Sequence, residues 1–549
     1  MREMRRSFRS PLSAMLQEAS ATCREAEFTG GPLREISAMR AERAALVRRR
    51  TVLAGAAGLA TAIALPGRSS SIGQPRVVIV GAGAAGLTCA YRLWRERGIA
   101  ARLYEWNSRV GGRIQTLRDY FVDSELAEQH GEFISSEHTE TMRLALRFGL
   151  QFENTYADPR HVRDTYWFAG SRYTQTDLNL DWHDFGWKLF RDAVRKAPGA
   201  NYRHASPTAY EWDHISVSEW IDRYVPGGLN SAFGQLCYSD VIDEYGCPPE
   251  HQSALNLVFL LGYDASAANG YQPQSHPVLG GSDEKWHIHG GNDQLTTSLA
   301  ARLPDGSIHL RHRLVALVEN SDGSLTCTFS RDGSTVETVA DHVALALPFT
   351  TLREVDLSGV RLSPLKRKAI ESLPLGYNAK IQIQVAGRPW VKDGFDGTML
   401  TGSPLDGGWD GTSYQNGGRR SSAEVFVCLP GGMDGKSFAA RYNLAFGHEQ
   451  GPAPPAMVSD ALAQLEPIFP GVTAAWAKGP QRAWYNDGNI DKHLRGAWSQ
   501  YNIGQYTGFG GVEKRREGNI HFAGEQTSPE FQGYIEGAVR SGLRAAREI

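Results

Sequence analysis

The chain predicts an α/β fold organised on a doubly wound parallel sheet, and its two ends predict it. Val77–Val80 is a short apolar run rich in β-branched residues, the pattern of a buried strand. Gly81, Gly83 and Gly86 follow at once with G-x-G-x-x-G spacing, and Leu87–Arg95 then takes a helical period. Arg102–Glu105 is a second short strand that ends in an acid, nineteen residues after Gly86. At the far end, residues 520–523 read as another strand, closed by Gly524-Glu525, with a helix beginning within Gly533–Ala538.

Each part of the first motif has a physical task. Gly81 permits the tight turn, Gly83 lets a pyrophosphate approach the backbone, and Gly86 lets helix pack on strand. Ala84 and Ala85 are the small residues at the helix start, whose amides face the phosphates. Glu105 stands at the distance along the chain where a carboxylate accepts from a ribose hydroxyl. Strand, helix, strand and acid in this order predict a dinucleotide site. Arg109-Val110-Gly111-Gly112-Arg113 follows directly, with two more glycines for close backbone approach and Arg113 suited to a phosphate.

Bulk properties set the outer limits. A chain of 549 residues holds more than one domain. Lys+Arg 58 against Asp+Glu 60 gives a net charge of -2, which argues against nucleic acid or an anionic membrane as partner. Hydrophobic residues at 41% and aromatic residues at 10% fit a globular enzyme rather than a disordered chain. The six cysteines form no C-x-x-C and have no histidine cluster beside them, so no metal site is expected. Cys89 reads as a small buried thiol. Cys237 and Cys247 are either a disulfide or two free thiols on sequence alone.

Residues 1–50 carry eleven Arg, no Lys and six Glu, and read as a poorly ordered basic tail. Arg48-Arg49-Arg50 then precedes an apolar run to Leu65 and Pro66-Gly67. An arginine pair before a short run of Ala, Gly, Val and Leu reads as a twin-arginine export signal, too short to span a bilayer. Residues 1–74 are therefore set apart from the folded enzyme.

Further along, residues 151–280 are rich in Trp, Tyr and His, with helical periodicity in Val217–Tyr224 and Ser253–Leu261. Trp286–Leu295 opens a second strand-to-helix element, in which Gly290-Gly291 is compatible with close approach of a cofactor. Residues 308–317 read as paired short strands and 341–348 as an apolar strand returning to the nucleotide domain. After Leu373-Pro374-Leu375-Gly376 the chain alternates, so Lys380 shares a face with Gln382 and Gln384. The Gly- and Asp-rich residues 392–420 predict long surface hairpins.

The joined glycine motifs and the ending NIHFAGEQTSPEFQGYIEGAVRSGLRAAREI resemble the flavin amine oxidase family, which includes monoamine oxidases and L-amino acid oxidases. The resemblance runs from about Pro75 to Ile549. It implies a Rossmann-like FAD-binding domain made from residues 75–114, 285–372 and 510–549. It also implies a mixed-sheet substrate domain from 115–165 and 373–509, and a helical insert over 166–284. FAD is expected to be non-covalent, because no cysteine lies near Ala497. The implied cofactor contacts are Gly81, Gly83, Ala84, Ala85, Gly86, Glu105, Trp106, Gly112 and Arg113, with Leu314 meeting the adenine through its backbone. His130 to Phe133, with Gly131 and Glu132 between them, lie against the flavin ring. Gly524, Glu525, Gly533, Tyr534, Ile535 and Ala538 form the closing segment, whose helix N-terminus faces the flavin.

Three catalytic positions follow from the same resemblance. Lys380 matches the lysine that reaches flavin N5 through a water. Trp498, in Gly496-Ala497-Trp498-Ser499, and Tyr534 match the two walls of an aromatic cage that aligns an amine nitrogen. The implied reaction is oxidative deamination with hydride transfer to the flavin, and dioxygen returns the flavin to its oxidised state with release of hydrogen peroxide. The first reading is an exported, dimeric L-amino acid oxidase that yields 2-oxo acid and ammonia; the alternative is a monoamine or polyamine oxidase that yields an aldehyde. In animal-type L-amino acid oxidases an arginine that binds the substrate carboxylate takes the place of Phe133. Here either another Arg, Lys or Tyr holds a carboxylate, or the substrate lacks one.

Overall fold

The computed structural model describes residues 74–155, 165–265, 284–415 and 422–549. The arginine-led signal, Cys23 and residues 416–420 of the turn-rich stretch lie outside the described residues.

Five short strands form one all-parallel sheet in the order Ile308–His309, Arg102–Tyr104, Val77–Val80, His342–Leu345, Ile520–Phe522. The central strand is buried at every position, as an apolar run between two helical layers must be. The helix Ala84–Arg97 follows it and packs against the C-terminal helix Ile535–Glu548. Gly542 makes that packing close: a Cβ there would lie 2.3 Å from the Ala85 carbonyl oxygen. These two helices, one early and one late among the described residues, are thus neighbours in the sheet's helical cover. A three-stranded antiparallel meander, Arg313–Glu319, Leu325–Arg331 and Ser334–Ala340, connects the edge strand back to the centre.

The second sheet has eight strands and is antiparallel except where Met399–Thr401 pairs with Thr165–Phe168. Its middle strand, Ala379–Ala386, is buried on both faces except at its last residue, so Lys380, Gln382 and Gln384 point inward together. Residues 165–173 supply two strands to this sheet, and the run of helices starts at Gln175 rather than at 166. Helices then follow through Ala254–Ala265, interrupted by the short pair Ala200–Asn201 and His204–Ala205.

One expectation fails, for a packing reason. Over its described residues the Gly- and Asp-rich stretch does not form surface hairpins. Met399–Thr401 and Gly407–Asp410 are a hairpin inside the large sheet, almost wholly buried. A Cβ on Gly407 would lie 2.0 Å from an Asp243 oxygen, and Asp410 bonds the buried Arg388 at 2.8 Å, so the glycines and aspartate serve close internal contacts. At Gly290-Gly291, a Cβ on Gly291 would meet the Thr116 and Arg118 side chains, so this glycine lets protein pack closely there. Cys237 and Cys247 are both buried free thiols, with burial pushing the Cys247 thiol up to about 12. No described helix is long and apolar enough to cross a membrane.

Candidate active site

At the first glycine motif the backbone does the building. The Ala82 amide donates to Glu105 Oε2 at 2.7 Å, and the Asn107 amide to Oε1 at 2.7 Å, so the acid closes the loop on itself. Burial raises Glu105 above the usual carboxylate range against these two bonds. A Cβ on Gly81 would lie 2.5 Å from the Ala346 oxygen and one on Gly86 1.9 Å from the Gly81 oxygen. Gly83 differs: a Cβ there meets nothing within 4 Å. The Gly111 amide donates to the Ala82 carbonyl at 2.9 Å, and Gly112 lies directly against Gly83. The helix opens at Ala84 and Ala85 with no side-chain cap and no acid in its first turn. Its leading amides therefore border an open cradle over Gly83, the arrangement that takes an anion. Trp106 lies between the Arg313 guanidinium, 4.5 Å from its ring, and His493. Leu314 follows His312, whose amide donates to the Glu105 carbonyl at 2.8 Å, so its strand flanks this cradle.

Glu525 joins the two glycine motifs. It accepts from Arg113 Nη1 at 2.8 Å, from the Ser499 amide at 3.1 Å and hydroxyl at 2.6 Å, and from the Gly533 amide at 2.6 Å. Arg113, expected at a phosphate, directs Nη1 to this carboxylate and to the Ala497 carbonyl at 2.7 Å. Gly524 sits at φ +120°, where a Cβ would collide with the Gln526 side chain. Beyond Gly533, the helix Ile535–Glu548 begins after Tyr534 with no side-chain cap. Ile535 packs on Gly131, and the Ala538 amide donates to the Tyr534 carbonyl.

The lysine lies under the segment 128–133. Lys380 Nζ donates to Glu132 Oε2 at 2.7 Å and to the Glu128 carbonyl at 3.1 Å. Glu132 also accepts from Trp409 Nε1 at 2.8 Å, and Phe133 meets the Trp409 ring edge-on at 5.5 Å. Both groups are buried, and each is the other's ion-pair partner. His130 is neutral in this setting: burial first, then the positive charge of Arg109, pushes it down to about 3.

The aromatic pair is tied to a residue that the sequence reading passed over. Trp498 Nε1 donates to the Glu244 carbonyl at 2.7 Å, and the Tyr534 hydroxyl donates to Glu244 Oε1 at 3.2 Å. Glu244 is the penultimate residue of the helix Ala232–Tyr245 and is buried. Gly376 brings the lysine strand to the same place: its amide donates to the Trp498 carbonyl at 2.7 Å, and a Cβ on it would lie 2.2 Å from the Tyr245 oxygen. Lys380, Glu132, Phe133, Trp498, Glu525, Tyr534 and Ile535 thus belong to one contiguous arrangement. Leu314 and Trp106 stay at the nucleotide end.

A sequence profile of the flavin containing amine oxidoreductases matches residues 84–549. The chain belongs to that family. Among curated relatives, human amine oxidase [flavin-containing] B is 24% identical over 488 residues, covering 86% of this chain and 85% of the relative. Pig amine oxidase [flavin-containing] A is 25% identical over 491 residues, covering 86% and 84%. Among solved structures, wild-type putrescine oxidase bound to putrescine aligns with a TM-score of 0.67 at 20% identity, over 86% of this chain and 98% of that one. Cyclohexylamine oxidase from Brevibacterium oxydans IH-35A gives 0.67 at 21% identity over the same shares.

As a flavin amine oxidoreductase the protein takes FAD, and the residues present fit it. The open cradle over Gly83 and the uncapped first turn suit a pyrophosphate, while the second uncapped helix, after Tyr534, opens beside Glu132 and Lys380 through Ile535 and Gly131. Two further side chains complete this amine oxidoreductase site. Trp409 orients Glu132, and Asn292 Nδ2 holds the Glu132 carbonyl at 2.5 Å. Their sequence surroundings carry no pattern. Glu244 left a faint signal: Asp240, Asp243 and Glu244 crowd the last turns of one helix, where negative charge opposes the helix dipole.

Proposed function

We propose that this flavin amine oxidoreductase oxidises a primary amine without an α-carboxylate, a monoamine or a diamine, to an aldehyde with release of ammonia and hydrogen peroxide. The supporting observation is Glu244: a buried carboxyl group accepts from the Tyr534 hydroxyl, and in this reading its ionised form puts negative charge behind the wall that meets the substrate nitrogen. A carboxylate there attracts an ammonium and repels a carboxylate at short range. The other walls point the same way. Position 133 is Phe, seated on Trp409, and among the described residues the cations Arg113 and Lys380 each face a carboxylate of their own. The curated relatives and aligned structures named above are amine, putrescine and cyclohexylamine oxidases by name.

In this reading Trp498 and Tyr534 orient the amine between their planes and exclude water from it. FAD, when bound, supplies the oxidation by accepting hydride and passing electrons to dioxygen. Glu525 and Arg113 hold the Ser499 and Gly533 backbones, which sets the spacing of the cage. Lys380, fixed by Glu132, presents an ammonium beside the segment 130–133 and favours negative charge developing there.

The test is anaerobic bleaching of the purified yellow protein by L-amino acids, by their D-isomers and by the matching decarboxylated amines. Bleaching by the amines alone is expected. Rapid bleaching by L-amino acids instead would return the assignment to the amino-acid oxidase reading. Denaturation is expected to leave the polypeptide colourless, with all flavin in the supernatant.

A further inference from the structure

The lysine site has a second layer that the proposed reaction does not use. His287 lies on the strand Trp286–Ile288, paired with Phe152–Asn154, and its side chain is buried between carboxylates. Its Nε2 is 2.9 Å from Glu128 Oε1 and its Nδ1 is 3.5 Å from Glu153 Oε2. Glu128 also accepts from the Thr116 hydroxyl at 2.9 Å and the Asn292 amide at 2.8 Å, while its own backbone carbonyl accepts from Lys380 and from Gln382. The loop 128–132 is therefore clamped on one side by His287 and Asn292 and on the other by Lys380, Gln382 and Trp409.

We infer that His287 is a positioning residue for Lys380: by bonding Glu128 through Nε2, with Glu153 standing 3.5 Å from Nδ1, it sets the loop whose Glu128 carbonyl and Glu132 carboxylate hold the lysine. The inference rests on the assignment of Lys380 to the oxidase reaction.

The two carboxylates favour a proton on the ring: Nε2 bonds Glu128 at 2.9 Å, and Glu153 lies within ion-pair reach of Nδ1 at 3.5 Å. Burial disfavours the charge most, yet the bonds to Glu128 and Glu153, then the charges of Glu128 and Glu132, raise His287 to about 9. The remaining polar neighbours are accounted for. The Tyr414 ring lies 5.2 Å away, with its hydroxyl held protonated by burial; His289 bonds Glu153 from the surface side at 2.8 Å; and Arg118, near Glu128, is paired with Asp293.

His287 is expected to behave as a raised base. The stability it contributes is fully present below its unfolded pKa of about 6.5 and is lost as pH rises through about 9. Histidine ring NMR of the holoprotein, together with stopped-flow reoxidation of the reduced enzyme across pH, tests this. An imidazolium that persists above pH about 8 is expected, moving to lower pH in Glu153→Gln, the more peripheral change. Wild-type reoxidation is expected to fall as pH rises through about 9. His287→Gln is expected to be about tenfold slow at neutral pH and without that alkaline limb. A ring that is neutral at pH 7, or His287→Gln protein that melts earlier but reoxidises with the wild-type rate and pH profile, would overturn the inference. Lys380→Met run alongside separates the causes. Normal reoxidation there removes the lysine assignment and this inference with it; slow reoxidation there, with His287→Gln normal, removes this inference alone.

Discussion

The proposed nucleotide cradle and aromatic cage are built in opposite ways. The cradle is backbone: three glycines, an uncapped helix start and one acid, all within residues 81–112. The cage and its lysine floor are side chains brought from segments hundreds of residues apart, with Glu128, Glu132, Glu244, Lys380, Trp409, Trp498 and Tyr534 meeting across the fold. A backbone site tolerates almost no volume and little needs to be charged. A side-chain site depends on which carboxylate meets which donor. Substitutions at the first should act through space, and at the second through charge.

The largest expected effect lies within the cradle itself. Gly86→Ala places a Cβ 1.9 Å from the Gly81 oxygen and 3.2 Å from the Ile79 side chain, so the strand–helix unit must open. Little folded protein is expected. Gly83→Val is the contrast: φ is −75° and the space is open, so the protein should fold with a near-normal melting temperature yet purify without yellow colour. A yellow Gly83→Val protein would show that the flavin phosphates lie elsewhere.

Lys380→Met comes next and tests the floor. It leaves the buried Glu132 carboxylate without its cation, a loss of about 3–5 kcal/mol by the usual cost of breaking a buried pair. Adding Glu132→Gln should restore part of that stability in denaturant melts, because the uncompensated charge is gone. Reoxidation by dioxygen should slow by about a hundredfold, with flavin reduction much less affected. Equal slowing of both half-reactions would give Lys380 a structural role only.

The same contrast explains what the sequence made legible. Every part of the cradle lies within one strand–helix–strand unit, and its spacing is dictated by local geometry, so Gly81, Gly83, Gly86 and Glu105 could be read in order. The all-parallel sheet followed from the same unit and its partner at residues 520–538. Lys380 was readable from the resemblance, with strand alternation after Gly376 placing it on one face with Gln382 and Gln384. Its partners were not, since Glu132 and Trp409 are 248 and 277 residues from the groups they bond. Composition misled at residues 392–420, where glycine and aspartate usually mark exposed turns; here glycine lets Asp243 close on the sheet and Asp410 bonds Arg388.

Glu244→Gln gives the smallest effect and sharpens the comparison most. The Trp498 bond goes to the Glu244 backbone carbonyl and survives the change, and the glutamine oxygen can still accept from Tyr534. The cage should keep its shape and lose only a negative charge. Turnover of amines, as kcat/KM, should then fall by about tenfold, the scale of one hydrogen bond to a charged group in a buried site. Tyr534→Phe should cost a similar amount, and the double variant should fall by less than the product of the two, because both weaken the same Tyr534–Glu244 contact. The decisive comparison is the ratio of amine to amino-acid turnover: loss of the charge should narrow it, since repulsion of an α-carboxylate goes with it. An unchanged ratio would mean that cage shape, not the Glu244 charge, excludes amino acids, and would return the choice of substrate to the walls around Phe133 and Trp409.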